Sequence, residues 1–320
     1  MRVGIAGAGF TARTHIEAYR ETDVEIAALS SPSGPDETIA EFDLDAEAYT
    51  DVDAMCDRAD LDFVDVCTPT HTHLPIVRTA VDSGLDVFLE KPIAESLDSA
   101  RELAAVVDDA DVTCMVGHVV RFVPAYRRAS ELDIGSPGVA RARRLSPFPD
   151  WGSNEWFADP EKSGGIFVDL AIHDLDYLRW CWGPVDRVFA RTSGKSTSAH
   201  GFATLRFENG AVGYVEASWA QPSERPLTYE LELAGDDGLV EFSSATDEPY
   251  VRWNEEGSTV ERPLSEDGYR RELEHFVSSL ESDSKPAVGP EDAVESLRLA
   301  LAARRSAERG EPVSPAEVGR

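Results

Sequence analysis

Apolar residues in the first third of the chain fall into short, mostly apolar runs separated by stretches of helical spacing. Val3, Ile5 and Ala6 form the first run, which feeds the turn Gly7-x-Gly9-x-x-Ala12 and helix-compatible sequence to about Arg20. Further runs follow at Val24–Leu29, Leu61–Cys67, Leu85–Leu89 and Val112–Val116. Runs of this kind, without polar alternation, mark strands covered on both faces. Between them, the residues around Val52, Met55, Cys56 and Ala59, then Leu74 to Ser83, then the stretch that Ser96 caps out to about Val107, read as helices. Arg121 to Arg128 opens another. Strand alternating with helix predicts an α/β fold built on a parallel, doubly wound sheet.

From Val139 onward the period changes. Asn209-Gly210 divides Phe202–Phe207 from Val212–Trp219, and Asp236-Asp237-Gly238 divides Tyr229–Leu233 from Leu239–Phe242. Such closely spaced hairpin turns predict a mostly antiparallel sheet. One helix, Gly165–Leu178, interrupts it, with an apolar stripe of Val168, Ala171, Ile172, Leu175 and Leu178. A chain of 320 residues exceeds one ordinary core. Two domains are therefore expected, 1–120 and 121–320. The amphipathic helices carrying Leu273, Phe276, Val277 and Leu280, then Ala293, Leu297, Ala300 and Leu301, are expected to return and brace the first.

Charge changes the picture. Sixty Asp and Glu against thirty Lys and Arg give a net charge of −30, with the acids spread through every segment. Self-repulsion on that scale weakens a compact state in dilute buffer, whereas concentrated salt screens it to about 3 Å. The composition therefore points to a halophile's salt-rich cytoplasm, against an acidic interaction surface or disorder. No basic stripe exists to neutralise phosphates, which argues against a nucleic-acid partner. Cys56, Cys67, Cys114 and Cys181 are scattered and suit a reducing compartment. No apolar run is long enough to span a bilayer, so a soluble, cytoplasmic protein is expected.

Candidate chemistry gathers at predicted strand ends. Gly7 permits a tight turn, Gly9 lets backbone N–H groups approach a pyrophosphate, and Ala12 allows the helix to pack closely on the strand. At the next strand end, where an acid would bind the ribose 2′-hydroxyl of NAD, stand Ser30 and Ser31. NADP is therefore permitted, although no neighbouring Arg or Lys is evident in the sequence. Cys67, His71 and His73 are zinc-ligand types, but their place at a strand end favours cofactor contact over a metal. Lys91 is one of four lysines, a side chain whose pKa falls readily when desolvated; it is either a chemical group or a surface lysine paired with Glu90. Asp169 and His173, one helical turn apart, suit proton transfer or simply continue a solvated polar stripe to Asp176.

Gly7-Ala8-Gly9, Cys67-Thr68-Pro69-Thr70-His71-Thr72-His73, Glu90-Lys91-Pro92, Gly117-His118 with Arg121-Phe122, and Gly164-Gly165 leading to Asp169-x-x-x-His173 occur in that order. Over nearly its full length the chain resembles the glucose-fructose oxidoreductase, inositol dehydrogenase and rhizopine-catabolism (Gfo/Idh/MocA) family. The resemblance implies an N-terminal Rossmann domain and a C-terminal α/β domain whose open, largely antiparallel sheet forms a homodimer or homotetramer interface. It implies NAD or NADP against Gly7, Gly9, Phe10, Thr11, Ala12, Ser30, Ser31, Thr68, Pro69, His73, Glu90, Lys91 and Pro92. Lys91 would hydrogen-bond the reacting hydroxyl of a sugar or polyol. His173 would serve as general acid/base with Asp169 orienting it, and no metal is expected. Ser31 departs from the Asp that many members carry. His118, Arg121, Trp151 and Asn154 are further candidates for contacts to a polyol. Two other readings stay open at this point, a glycosidase working by transient oxidation with a retained cofactor and a non-catalytic nucleotide-binding regulator.

Overall fold

The computed structural model describes residues 1–149, 153–245, 250–254, 258–261 and 267–319. Its first part alternates strand and helix throughout: β1 (Arg2–Ala6), α1 (Phe10–Tyr19), β2 (Glu25–Ser30), α2 (Asp36–Glu41), β3 (Glu47–Tyr49), α3 (Val52–Arg58), β4 (Phe63–Val66), α4 (His73–Asp82), β5 (Asp86–Glu90), α5 (Leu97–Asp108) and β6 (Cys114–Gly117). The six strands pair in the order β3-β2-β1-β4-β5-β6, every pair parallel. Val3, Ile5, Val64, Val66, Val87 and Leu89 are wholly buried, as helices on both faces of a parallel sheet require. The order reverses at β1, and Ala6 is in register with both Ser30 and Val66. The carboxyl ends of β1, β2 and β4 therefore lie side by side, at the edge where open α/β sheets receive ligands.

The second part comprises α6 (Pro124–Glu131), β7 (Pro137–Leu145), α7 (Pro160–Ser163), α8 (Gly165–Asp169), α9 (Ile172–Trp182), β8 (Val185–Ser193), β9 (His200–Phe207), β10 (Val212–Ser218), β11 (Thr228–Gly235), β12 (Leu239–Ser243), β13 (Tyr250–Asn254) and β14 (Ser258–Glu261). These eight strands pair in the order β14-β13-β12-β11-β7-β10-β9-β8. All neighbours are antiparallel except β7 and β10. Along β7 the pleat turns Ala140, Ala142 and Arg144 inward and Arg141 outward. Helix α9 packs against β7 and β10. The chain closes with α10 (Gly268–Glu281) and α11 (Pro290–Arg309).

Helix 165–178 is not continuous. At Leu170–Ala171 the ladder slips: the Ala171 amide donates to Ile166 O, five residues back, and the Asp174 amide donates to Ala171 O, three residues back. Asp169 therefore ends α8 while His173 belongs to the first turn of α9, with the slipped turn between them. The predicted stripe is nonetheless core, with Val168, Ala171, Ile172, Leu175 and Leu178 all buried.

The chain divides into two compact units, Met1–Val119 with Asp267–Val294, and Val120–Glu266 with Glu295–Arg320. Helix α10 thus belongs to the first unit, where it packs on α1. Its Phe276 lies edge-on to Phe63 and Phe88, at ring-centroid distances of 5.3 and 5.6 Å.

Candidate active site

The opening turn has the geometry its glycines suggest. Gly7 sits at φ +121°, and a Cβ there would fall 2.6 Å from the Cys67 carbonyl oxygen. The Gly7 amide donates to Ser30 O at 2.8 Å, tying the turn to the end of β2. A Cβ on Gly9 would meet nothing within 4 Å, so open space adjoins the backbone there. Gly9 caps α1 without a side-chain acceptor, and the first turn carries no acid. The N-terminal turn of α1 and the positive end of its macrodipole therefore adjoin that space, the requirement for a pyrophosphate. Buried beside it, Ser30 Oγ has no hydrogen-bond partner among the described residues. These features fit a dinucleotide. Exposed Phe10, with Thr11, follows the turn, and Ala12 is wholly buried where α1 closes on the sheet.

Ser31 Oγ lies 3.1 Å from Ser33 Oγ in the loop after β2. The cation next to the phosphate turn is Arg13, which comes from α1. Arg13 of α1 donates to Ala8 O at 3.4 Å and to Thr38 Oγ1 at 3.3 Å, and it also reaches Glu41. Helix α2 sets Thr38 against the turn, its hydroxyl donating to Ala8 O at 3.4 Å.

Thr68-Pro69, Glu90-Lys91-Pro92 and Gly117-His118 follow the carboxyl ends of β4, β5 and β6, on the same sheet edge as the turn. Buried His73 places its ring nitrogens 3.0 Å from Thr68 O and 3.3 Å from Ile93 O, joining two of these strand ends. Burial lowers its pKa. Among the described residues, Cys67, His71 and His73 do not gather into a metal-ligand group. Cys67 turns instead toward His15, at 3.3 Å from Nδ1.

That histidine heads a buried cluster the sequence reading missed. His15 Nδ1 lies 2.8 Å from Asp65 Oδ2, and Nε2 lies 3.2 Å from Glu90 Oε1. Tyr19 Oη donates to Asp65 Oδ2 at 3.1 Å. The Lys91 amide donates to Glu90 Oε2 at 3.0 Å. Glu272 of α10 is wholly buried, and neither of its carboxylate oxygens has a hydrogen-bond partner among the described residues. Burial opposes charge on His15, but Asp65 and then Cys67 outweigh it and hold its pKa well above the usual imidazole range. Burial, and next the charge of Glu90, push the Glu272 carboxyl well above the ordinary carboxylate range. One signal was present: Asp65 is a charge inside the otherwise apolar run of a two-sided strand, where such a group requires partners.

In the second unit, Asp169 and His173 are partly buried at the α8–α9 junction. The polar stripe beyond them is not solvated. Asp174 and Asp176 are wholly buried, and each accepts two bonds from a buried arginine. Arg144 donates to Asp174 at 2.9 Å from both Nε and Nη2. Arg121 does the same to Asp176 at 2.8 and 2.6 Å, and Ser296 Oγ adds a bond to Asp176 at 2.5 Å. Arg121 thus serves as a core ion pair anchoring α9, the helix that carries His173. His118 is also buried. Trp151 lies outside the described residues, and of Asn154 only the backbone is described.

A Rossmann unit with an open phosphate turn, joined to a second unit with a large mixed sheet, defines a dinucleotide-dependent oxidoreductase. The chain belongs to the Gfo/Idh/MocA family: residues 1–118 match its NAD-binding Rossmann fold and residues 125–241 its C-terminal domain. Its cofactor is accordingly NAD or NADP, and its reaction is that of a dehydrogenase acting on CH–OH groups. It is 30% identical to D-xylose 1-dehydrogenase (NADP(+)) 2 of Haloferax volcanii, covering 98% of this chain and 99% of that one. It is 28% identical to myo-inositol 2-dehydrogenase of Thermotoga maritima, over 99% of each. Scyllo-inositol dehydrogenase from Lactobacillus casei, solved with NAD(H) and scyllo-inositol, superposes with a TM-score of 0.83 at 25% identity, over 99% of both chains.

Proposed function

We propose that this protein oxidises a secondary hydroxyl of a sugar, inositol or related polyol, or reduces the matching carbonyl, using Lys91, Asp169 and His173. The observation that carries the reading is the position of Lys91. It follows β5 at the same sheet edge as the phosphate turn, with its backbone held by Glu90. When bound, the nicotinamide supplies the hydride acceptor at C4. Lys91 donates a hydrogen bond to the reacting oxygen and favours its developing negative charge. His173 takes the hydroxyl proton on an imidazole nitrogen, and Asp169 orients the ring. The full-length likeness to a xylose and an inositol dehydrogenase supports this reading over a redox-elimination glycosidase or a nucleotide-binding regulator.

The loop Ser31–Ser33 supports use of NADP, since no acid of that loop repels a 2′-phosphate. Assembly as a homodimer or homotetramer through the outward face of the eight-stranded sheet accords with exposed Tyr214 and Val212 on β10. No helix among the described residues is long and apolar enough to cross a membrane. The cysteines Cys56, Cys67, Cys114 and Cys181 are free, which supports a reducing cytoplasm. A panel of sugars and inositols, assayed in molar salt with NAD+ and with NADP+, tests the function. Turnover of no member with either nucleotide would refute it.

A further inference from the structure

Glu90 holds the backbone of Lys91 from one oxygen and faces His15 from the other, so the lysine's placement depends on what surrounds that carboxylate. The Lys91 amide donates to Oε2 at 3.0 Å, and His15 Nε2 stands 3.2 Å from Oε1. The ring cannot turn freely, because Nδ1 lies 2.8 Å from Asp65, itself held by the Tyr19 hydroxyl at 3.1 Å. Gly117 leaves room for the arrangement: a Cβ there would fall 3.1 Å from Glu90 Oε1.

Glu272 completes the enclosure from α10. A carboxylate oxygen of Glu272, one of Glu90 and a ring nitrogen of His15 all lie within 4.8 Å of one another. Three carboxylates then surround one buried imidazole, with only Glu90 reaching slightly to the surface. If all three were ionised, even a charged imidazole would leave two negative charges uncompensated, and Glu272 would be a buried anion without a hydrogen bond. That is the most costly state a carboxyl group can occupy. A proton on Glu272 removes the cost and leaves Glu90 charged for His15 and the Lys91 amide.

We propose that His15, Asp65, Glu90 and Glu272 are positioning residues for Lys91, with Glu272 a neutral acid and Glu90 the charged carboxylate that fixes the lysine's backbone. The proposal rests on the reading of Lys91 as the group that contacts the reacting oxygen. The groups facing Glu272 are His15 and Tyr19 of α1, Asp65 of β4, Glu90 of β5, and Asp267 and Tyr269 at the head of α10. Burial and the charge of Glu90, the leading causes, favour its proton, and only His15 works against it appreciably.

The test joins spectroscopy to kinetics on the full-length protein. The infrared difference between wild type and Glu272→Gln at neutral pH should contain the C=O stretch of a protonated carboxyl, shifted in D2O. Glu272→Ala and His15→Asn should each lower kcat about 10- to 100-fold, the scale expected when a reacting group is held about 1 Å out of place. The Kd for NADPH, read from its fluorescence, should not move with them. Glu272→Gln, a neutral isostere of the acid, should restore most of the kcat lost in Glu272→Ala. Should Glu272→Ala fail to fold, Glu272→Asp, which withdraws the acid by one methylene, replaces it. Absence of the protonated band, a Gln variant as impaired as Ala, or a stoichiometric divalent metal in the purified protein would each overturn the proposal. If Lys91→Ala left turnover unchanged, the catalytic reading would fail while the infrared band still reported the proton on Glu272.

Discussion

Arg121 and Asp176 meet in the core of the second unit through two parallel hydrogen bonds, with the arginine 1% and the aspartate 0% exposed. Removing the arginine leaves the buried Asp176 without the guanidinium that neutralises it. Arg121→Leu is therefore expected to cost about 3–5 kcal/mol of stability, whereas Arg121→Leu with Asp176→Leu recovers much of that loss. Urea unfolding of both variants measures the difference. Equal midpoints for the single and double variants would show that the pair is not a desolvated ion pair.

The Glu272 carboxyl makes stability depend on pH in a defined direction. Its folded-state pKa is raised, first by burial and then by Glu90. The folded chain thus keeps a proton that the unfolded chain releases above the ordinary carboxylate value of about 4.3. The contribution is complete below that value and is lost as pH rises toward the folded-state value. Glu272→Gln has no such proton to lose. Its stability relative to wild type should grow from about pH 5 upward, as followed by denaturant midpoints. A constant offset across that range would contradict the assignment.

If Lys91 bonds the reacting oxygen as proposed, a residue that merely carries charge should not replace it. Lys91→Ala is expected to lower kcat by about 10²–10⁴-fold. Lys91→Arg should fall comparably, because a planar guanidinium does not reproduce a compact ammonium on a flexible stem. Steady-state turnover with the best polyol of the panel decides this. An arginine variant with wild-type kcat would reduce the lysine's role to electrostatics alone.

Nucleotide preference should turn on the loop after β2. Ser31→Asp introduces the acid that bonds a ribose 2′-hydroxyl and repels a 2′-phosphate. The ratio of kcat/KM for NADP+ over NAD+ should fall about tenfold or more, equivalent to roughly 1.4 kcal/mol. Arg13→Ala should move the ratio the same way by a smaller factor, since part of the guanidinium is already taken by Glu41. Unchanged ratios in both would place the 2′-position elsewhere.

Much of the fold is legible from the period of the apolar residues. β1, β2, β4, β5 and β6 coincide with mostly apolar runs because a sheet covered on both faces admits few polar side chains. Asn209-Gly210 and Asp236-Asp237-Gly238 mark hairpins because their backbone chemistry is local. What escaped the sequence depends on contacts between distant residues. Apolar spacing continues smoothly through Leu170 and Ala171, so nothing in it signals the slipped ladder between Asp169 and His173. Asp174 and Asp176 look like a wet face until Arg144 and Arg121 are brought over them from β7 and the turn before α6. Glu272 reads as one acid of an amphipathic helix, and its neighbours lie about 180 to 260 positions earlier in the chain.

The first unit is assembled from two separate stretches, and this bears on how the protein is made. Helix α10 supplies Phe276 against Phe63 and Phe88, and Glu272 against His15 and Glu90, yet it is translated after every strand of the second unit. A ribosome that has finished residues 1–119 has produced six strands with one flank still open to water. The apolar surface that Phe276 covers is therefore synthesised well before its cover, and an exposed surface of that kind is prone to aggregate until roughly residue 281 has been added.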